Sequence, residues 1–431
     1  MTLRVGAAQV VITPPVGVEL AGYGFGPSVG ILDDLMAQAL VVESGGESVA
    51  IVTADVLTLG PDIVAGVRGR IEAALSISGE HVLLSAAHTH SSPTAMPLRQ
   101  WGPVDATYVQ VLESYLVGAV VMAQHNAREA RLGLGVGHAE TISENRRIPG
   151  GVTDPAVPVL RFDDAAGEPI AVLYNFACHP VSLHSYRNLI SPDYPGYARA
   201  VVRDVLGQNV VVMFTLGTAG DINPAGHVAG KTTPQRSRQI GAILGREVAR
   251  VALDPEYADD PVLRVERTVV DLPVEPLPPV TELEQYRDRF AAEADRRRAE
   301  GLPWAEVSVS EIKRDWAADA LRAWESGLVR RSVPCEVTAV RLGQAVLLAA
   351  PLEIFTETGL AIKAESAARV TVISSNSNGG VGYLPMEDAY QSNDYTNPQG
   401  LAPKVYGIYA LSSGAEPLFR QAAIRLLKAL F

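Results

Sequence analysis

Two histidines separated by one residue stand in His88-Thr89-His90-Ser91-Ser92-Pro93, directly after a run of apolar and small residues at 83–87. Alternate side chains of a strand share a face, so the spacing predicts both imidazoles at one rim of a sheet, the geometry of a metal site. Imidazole is the commonest protein ligand for zinc, and a strand running into a polar loop brings such rings within reach of a substrate. The bland alternative is a histidine pair hydrogen-bonded at a loop start; a metal reading needs further ligands from elsewhere in the chain.

Candidates follow at intervals. His179 ends the apolar run 170–178 and precedes Pro180, which stops a ladder and aims a ring off the sheet edge. A backbone-capping histidine explains the same position equally well, and explains His184 better. The segment Gly217-Thr218-Ala219-Gly220-Asp221-Ile222-Asn223-Pro224 lets backbone approach a ligand and carries one carboxylate and one amide. Alone it is a tight turn in which Asp221 and Asn223 satisfy their own backbone. Glu353 lies where a strand meets a helix, a place for metal ligation or for helix capping. Tyr383, in Gly382-Tyr383-Leu384-Pro385, reads alone as half-buried packing, with Tyr395 following it. Asp55 ends a strand and either orients a ligand histidine or caps a loop.

The elements that must position these residues are short apolar strands alternating with helical stretches. Strands are expected at 39–43, 49–54, 81–86, 159–163, 170–176, 210–216, 335–341, 345–350 and 370–374. Helices are expected at 62–75, 108–131, 198–206, 235–251 and 355–367. The alternation predicts a mixed-sheet, layered α/β fold. From 279 to 331 the chain turns charged and helical, with a break near Glu300-Gly301; the expectation is a helical pair packed on the core by Phe290, Trp304, Trp316 and Trp324, with a substrate-covering lid as the alternative. The 431 residues are expected to form a single catalytic domain with this excursion.

Composition narrows the function. The chain is 47% hydrophobic and only 19% charged, with 38 glycines and 29 prolines, which favours many turns and functional loops over a helical bundle. A net charge of −12 opposes a nucleic-acid partner, which requires clustered cations. Cys178 and Cys335 have no zinc-knuckle or redox spacing, and residues 1–8 lack a secretory pattern, so a reduced, cytoplasmic setting is expected. No stretch is expected to span a bilayer; 115–123 reads as part of a buried helix.

Taken in order, the segments resemble the neutral ceramidase family, zinc-dependent amidases that split ceramide into sphingosine and fatty acid. The resemblance runs through Ile12-Thr13-Pro14-Pro15, Ala21-Gly22-Tyr23, Ala87-His88-Thr89-His90-Ser91, His179-Pro180, Gly220-Asp221-Ile222-Asn223-Pro224, Pro351-Leu352-Glu353 and Gly382-Tyr383. It implies that His88, His179, Glu353 and Tyr383 hold zinc, with a coordination position left open for water or substrate. It also implies that His90, Arg146 and Tyr395 face the scissile amide, where donors stabilise the oxygen that becomes anionic. Asp221 or His90 is the expected proton shuttle.

Three departures stand out. Asn223 occupies the place of a family serine, Thr396 that of a glutamate, and the expectation is a chain without the family's C-terminal immunoglobulin-like domain. Nucleophilic serine catalysis is therefore disfavoured. The expectation is a zinc-dependent hydrolase of a linear N-acyl amide smaller or more soluble than ceramide, with an esterase or lactonase, or a non-catalytic metal-binding or ligand-binding protein, as the alternatives.

Overall fold

The computed structural model describes every residue except Met1, 23–25, Arg187, Val228, Lys231, 259–261 and 393–395. Tyr395 and Tyr23 thus lie outside the described residues. The larger sheet is nine-stranded and runs in the order Val211–Leu216, Pro169–Phe176, Ala156–Asp164, Arg128–His138, Arg4–Val11, Met36–Ser44, Glu47–Ala54, Val82–Ala86, with Glu256–Tyr257 added beside Arg128–His138. Its two outermost pairs are parallel and the rest antiparallel. A second sheet orders Leu263–Pro273, Ser332–Leu342, Ala345–Ala349 and Val370–Ser374, and it too ends in a parallel pair.

Side-chain alternation explains how the sheets stack. In Glu47–Ala54, Ala50, Val52 and Ala54 join the core beneath the helices Pro61–Leu75 and Ala106–His125, while Val49 and Ile51 face the second sheet. In Pro169–Phe176, Val172, Tyr174 and Phe176 meet the helices Tyr194–Leu206 and Pro234–Leu253, while Ala171 and Leu173 face Leu347 and Val372. The outer face of the second sheet is covered by the helix Ala415–Leu430. Burial on both faces is why these strands read as nearly unbroken apolar runs. The result is the expected mixed-sheet, layered α/β fold, in four layers.

Four expectations need correction. The helix expected over 108–131 ends at His125, and Arg128–His138 is a strand of the large sheet. His88 and His90 are not on a strand: the strand stops at Ala86, and His88 turns back with φ +66°. The helix Ala106–His125 is long and apolar enough to cross a membrane by length and composition; its inward face, Leu112, Leu116, Ala119, Val120 and Ala123, is packed into the core. Of the aromatic residues assigned to the helical pair Val280–Ala299 and Trp304–Glu325, Phe290 is buried and Trp316 half-buried, but Trp304 and Trp324 are exposed.

The two edges of the large sheet, far apart in strand order, are joined by one short segment. Ser375 N donates to Leu216 O at 2.9 Å, at the end of one edge strand. Ala86 N donates to Asn376 O at 3.1 Å, and Asn378 N to Leu84 O at 2.7 Å, on the other. Beneath this seam Ser85 Oγ and Ser374 Oγ are 2.9 Å apart, and Asn175 Nδ2 donates to Thr215 O and Ile373 O at 3.0 and 3.1 Å. The carboxyl ends of three parallel strand pairs therefore converge on one spot, the usual place for a site in an open α/β sheet.

Asp55 sits beside this convergence. Its carboxylate takes a bidentate ion pair from Arg199, with Nη1 to Oδ1 at 2.8 Å, and accepts Met36 N at 2.8 Å. It braces the helix Tyr194–Leu206 against the large sheet and holds no histidine. Both partners are buried, at 1% and 3% side-chain exposure, so removing one strands a charge in the interior. Asp55→Ala is expected to lower unfolding free energy by about 3–5 kcal/mol in denaturant titrations; a loss below about 1 kcal/mol, the range of exposed pairs, would contradict the assignment.

Candidate metal centre

His88 follows the edge strand Val82–Ala86, and His179 follows Pro169–Phe176. The left-handed turn at His88 is uncommon for a residue with a side chain. It is held by Ala87 N to Ala54 O at 2.8 Å and His88 N to Val56 O at 2.9 Å. Each imidazole is oriented by backbone carbonyls. His88 Nδ1 lies 2.7 Å from Leu57 O, His179 Nδ1 2.6 Å from Ala219 O and 3.1 Å from Ile222 O, and His90 Nδ1 3.2 Å from Gly22 O. A carbonyl only accepts, so Nδ1 carries the proton in each ring and Nε2 presents a lone pair.

These lone pairs converge on a carboxylate. Glu353, in the short strand Leu352–Ile354, places Oε2 3.0 Å from His179 Nε2 and 3.5 Å from His88 Nε2. All three side chains are at most 1% exposed, and His88 Nε2 has no hydrogen-bond partner among the described residues. Burial, with Arg146 adding repulsion, lowers the His179 pKa to about 3. Lone pairs facing an ionised carboxylate at such distances repel unless a cation lies between them. Two ligands on a tetrahedral zinc stand about 3.3–3.4 Å apart, and the observed separations bracket that value. The residues present fit a metal ion.

Further side chains surround the point. The ligand atoms of His88, His90 and His179 all lie within 4.8 Å of one another, a group that could hold a metal. The His90 ring stands edge-on to His88 at 5.1 Å and His179 at 5.9 Å; burial and these two neighbours push its pKa well below the usual value. Tyr383 pairs in register with Glu353 across the parallel strands Leu352–Ile354 and Gly382–Leu384, so the two project to the same face. Arg146 follows the strand Ser143–Asn145 and reaches Tyr383 OH at 3.2 Å, Gly220 O at 2.6 Å and Asn223 Oδ1 at 3.4 Å.

Asp221 is buried and does not project freely into the site. One oxygen accepts Thr356 N at 2.9 Å and the other Asn145 Nδ2 at 3.0 Å. Asp221, not Glu353, thus satisfies the helix Thr356–Ala364. Burial raises its pKa against the opposing pull of Thr356, Asn145 and Arg146. His184 stands against His227, ring centroids 5.6 Å apart, and is not one of the three grouped histidines.

Two glycines make the crowding possible. A Cβ on Gly220 would stand 2.7 Å from Glu353 O, and one on Gly22 2.6 Å from the His90 ring. The residue that sequence reasoning missed is Tyr406, whose hydroxyl donates to Glu353 Oε1; it lies in the short helix Ala402–Tyr406 and no local pattern marks it.

The assembly is a mixed α/β fold whose polar centre, built of three imidazoles and a carboxylate, can hold a metal ion. Two solved structures share the fold over the whole chain. Neutral ceramidase from Pseudomonas aeruginosa superposes with a TM-score of 0.75 at 21% identity, covering 100% of this chain and 74% of that one. A ceramidase complexed with C2 gives 0.75 at 19% identity, covering 100% and 75%. The curated neutral ceramidase of Pseudomonas aeruginosa is 24% identical over 375 residues, which is 73% of this chain and 55% of the relative. The chain thus spans about half the length of that relative. The N-terminal region of neutral/alkaline non-lysosomal ceramidase matches residues 3–239, and the chain belongs to that family.

The neutral, buried His179 has a consequence for metal-free protein. Its folded pKa, about 3, lies below the ordinary 6.5, so the unfolded chain takes up a proton that the folded one refuses. Its contribution to stability is fully present above about pH 6.5 and is lost as the pH falls toward 3. Metal-free protein is expected to unfold at lower denaturant concentration at pH 5 than at pH 7.5; equal midpoints would contradict a neutral ring.

Proposed function

We propose that this protein is a zinc-dependent hydrolase that cleaves linear N-acyl amide bonds in substrates smaller or more soluble than ceramide. The observation that carries the reading is the meeting of His88 Nε2, His179 Nε2 and Glu353 Oε2 at separations a small cation fills. Two imidazoles and one carboxylate suit zinc, and Tyr383, beside Glu353 in the paired strand, is the fourth candidate ligand. When bound, zinc supplies a Lewis acid that polarises a carbonyl and lowers the pKa of water to about 7.

The chain's own groups supply the rest. Arg146, fixed by Gly220 O and Asn223 Oδ1, presents a cation beside the centre, suited to an oxygen that gains negative charge as the carbonyl is attacked. His90, neutral and anchored through Nδ1 by Gly22 O, keeps Nε2 as a base that takes a proton from the attacking water and returns it to the leaving amine. Both Asp221 oxygens already hold backbone and side-chain amides, so Asp221 positions the Arg146 turn and the shuttle falls to His90. Asn223 spends its carbonyl oxygen on Arg146, consistent with attack by water and not by a side chain. The amide class is carried over from the relatives, which are named ceramidases.

Purified protein is expected to carry about one zinc per chain and to hydrolyse N-acyl amines or N-acyl amino acids faster than matched esters, while His88→Ala loses both metal and turnover. Protein without zinc whose activity survives a chelator would remove the proposal.

A further inference from the structure

We propose that Tyr406 is a positioning residue that decides which oxygen of Glu353 faces the metal and keeps that carboxylate bound through one oxygen only. The inference rests on Glu353 serving as a ligand, as proposed above. A carboxylate can engage a cation with one oxygen or with both, and a second bond would occupy a position that substrate or water needs. Here the two oxygens are already unlike: Oε2 faces His88 and His179 Nε2, while Oε1 accepts the hydroxyl of Tyr406. A donor on Oε1 holds that oxygen away from the centre and keeps Oε2 already aimed at the position the ion would take.

The phenol is well placed for this. Its ring meets Tyr383 edge-on, with centroids 6.1 Å apart and planes at 89°, so one side chain supports both neighbours of the paired strands Leu352–Ile354 and Gly382–Leu384. The helix that ends at Tyr406 is itself tied down by Arg99, whose Nη1 donates to Lys404 O and Gly407 O at 2.6 Å each. On its other side Tyr406 borders a cavity of about 570 Å³ together with Pro351, Gly380, Val381 and Ile408. Close packing therefore does not enclose the ring on every side, and the hydrogen bond to Glu353 joins the Tyr383 contact in orienting it.

Tyr406→Phe removes the hydroxyl and leaves the ring. The probes are zinc, titrated in competition with a chromophoric chelator, and cobalt(II), read by its visible absorption, with His88→Ala as the metal-free control. Metal-free Y406F is expected to match wild type in circular dichroism and melting temperature, showing that the fold is intact. Its zinc affinity is expected to fall about 10- to 100-fold. The cobalt band weakens as Oε1 turns inward and raises the coordination number, and kcat falls more than KM rises. Should metal-free Y406F melt early, the zinc-induced rise in melting temperature, compared between variant and wild type, gives the same reading. Equal zinc affinity and identical cobalt spectra in Y406F and wild type overturn this inference alone, whereas wild-type protein that takes up no zinc overturns the proposed function with it.

Discussion

The structure depends on the closure of its large sheet. Val82–Ala86 and Val211–Leu216 are opposite edges in strand order, yet the turn after Val370–Ser374 donates to Leu216 O and accepts from Ala86 N within two residues. That turn belongs to the second sheet, so the smaller sheet acts as the plug around which the larger one curls. The knot beneath it is polar: Ser85, Asn175, Thr215, Ser374 and Ser377 are buried and hydrogen-bonded to one another or to strand carbonyls. A buried polar network holds only when its members are satisfied together, which makes the closure specific in register as well as favourable. Without it His88 and His179 would hang from distant ends of an open sheet.

Closure creates an electrostatic problem at the site. The three imidazoles take their orientation from carbonyl oxygens of Leu57, Ala219 and Gly22, where carboxylates often serve in metal sites. Carbonyls bring dipoles without net charge, and by facing Nδ1 of each ring they leave Nε2 pointing inward. The carboxylate facing them is Glu353, steadied by Tyr406, with the Arg146 cation alongside. Burial disfavours a proton on His90 and His179, so protonation does not relieve the repulsion, whereas a cation held between the ligand atoms would. The left-handed backbone at His88 is a second local cost carried by the same residues.

Much of this was legible in the sequence because the strands that carry the site are buried on both faces and read as plain apolar runs. His88 and His179 each follow such a strand, whereas Glu353 and Tyr383 lie in three-residue strands and are expected as ligands only through the resemblance to the neutral ceramidases; the structure brings all four to one region together with His90 and Arg146. What was not legible depends on contacts between distant segments. Arg128, Glu129, Ala130 and Arg131 are helix formers by propensity, but Arg4, Val5, Asp163 and Asp164 pair with them and draw them into the sheet. The two-residue spacing of His88 and His90 suggested a strand, whereas a turn at His88 aims the rings. Asp55 and Asp221 looked like chemistry and are tied into the fold, by Arg199 in one case and by Asn145 and Thr356 in the other.

The helical excursion shows how a peripheral element bears on the centre without touching it. Asp319 and Asp315 of the helix Trp304–Glu325 bond Arg99 and Gln100, in the segment that follows His90. Trp316 Nε1 donates to Ile408 O at 3.1 Å, just past Tyr406, and Ile312 packs with Met96, Leu98 and Val405. Arg99 joins these contacts, since the same guanidinium holds the carbonyls of Lys404 and Gly407. A lid must detach at little cost, but this helix is bound by an ion pair, amide and indole hydrogen bonds and a shared apolar cluster to both segments it would have to leave. The excursion therefore acts as a brace: it fixes the loop of His90 and the helix of Tyr406 relative to each other, so the proposed proton carrier and the buttress of Glu353 move as one body.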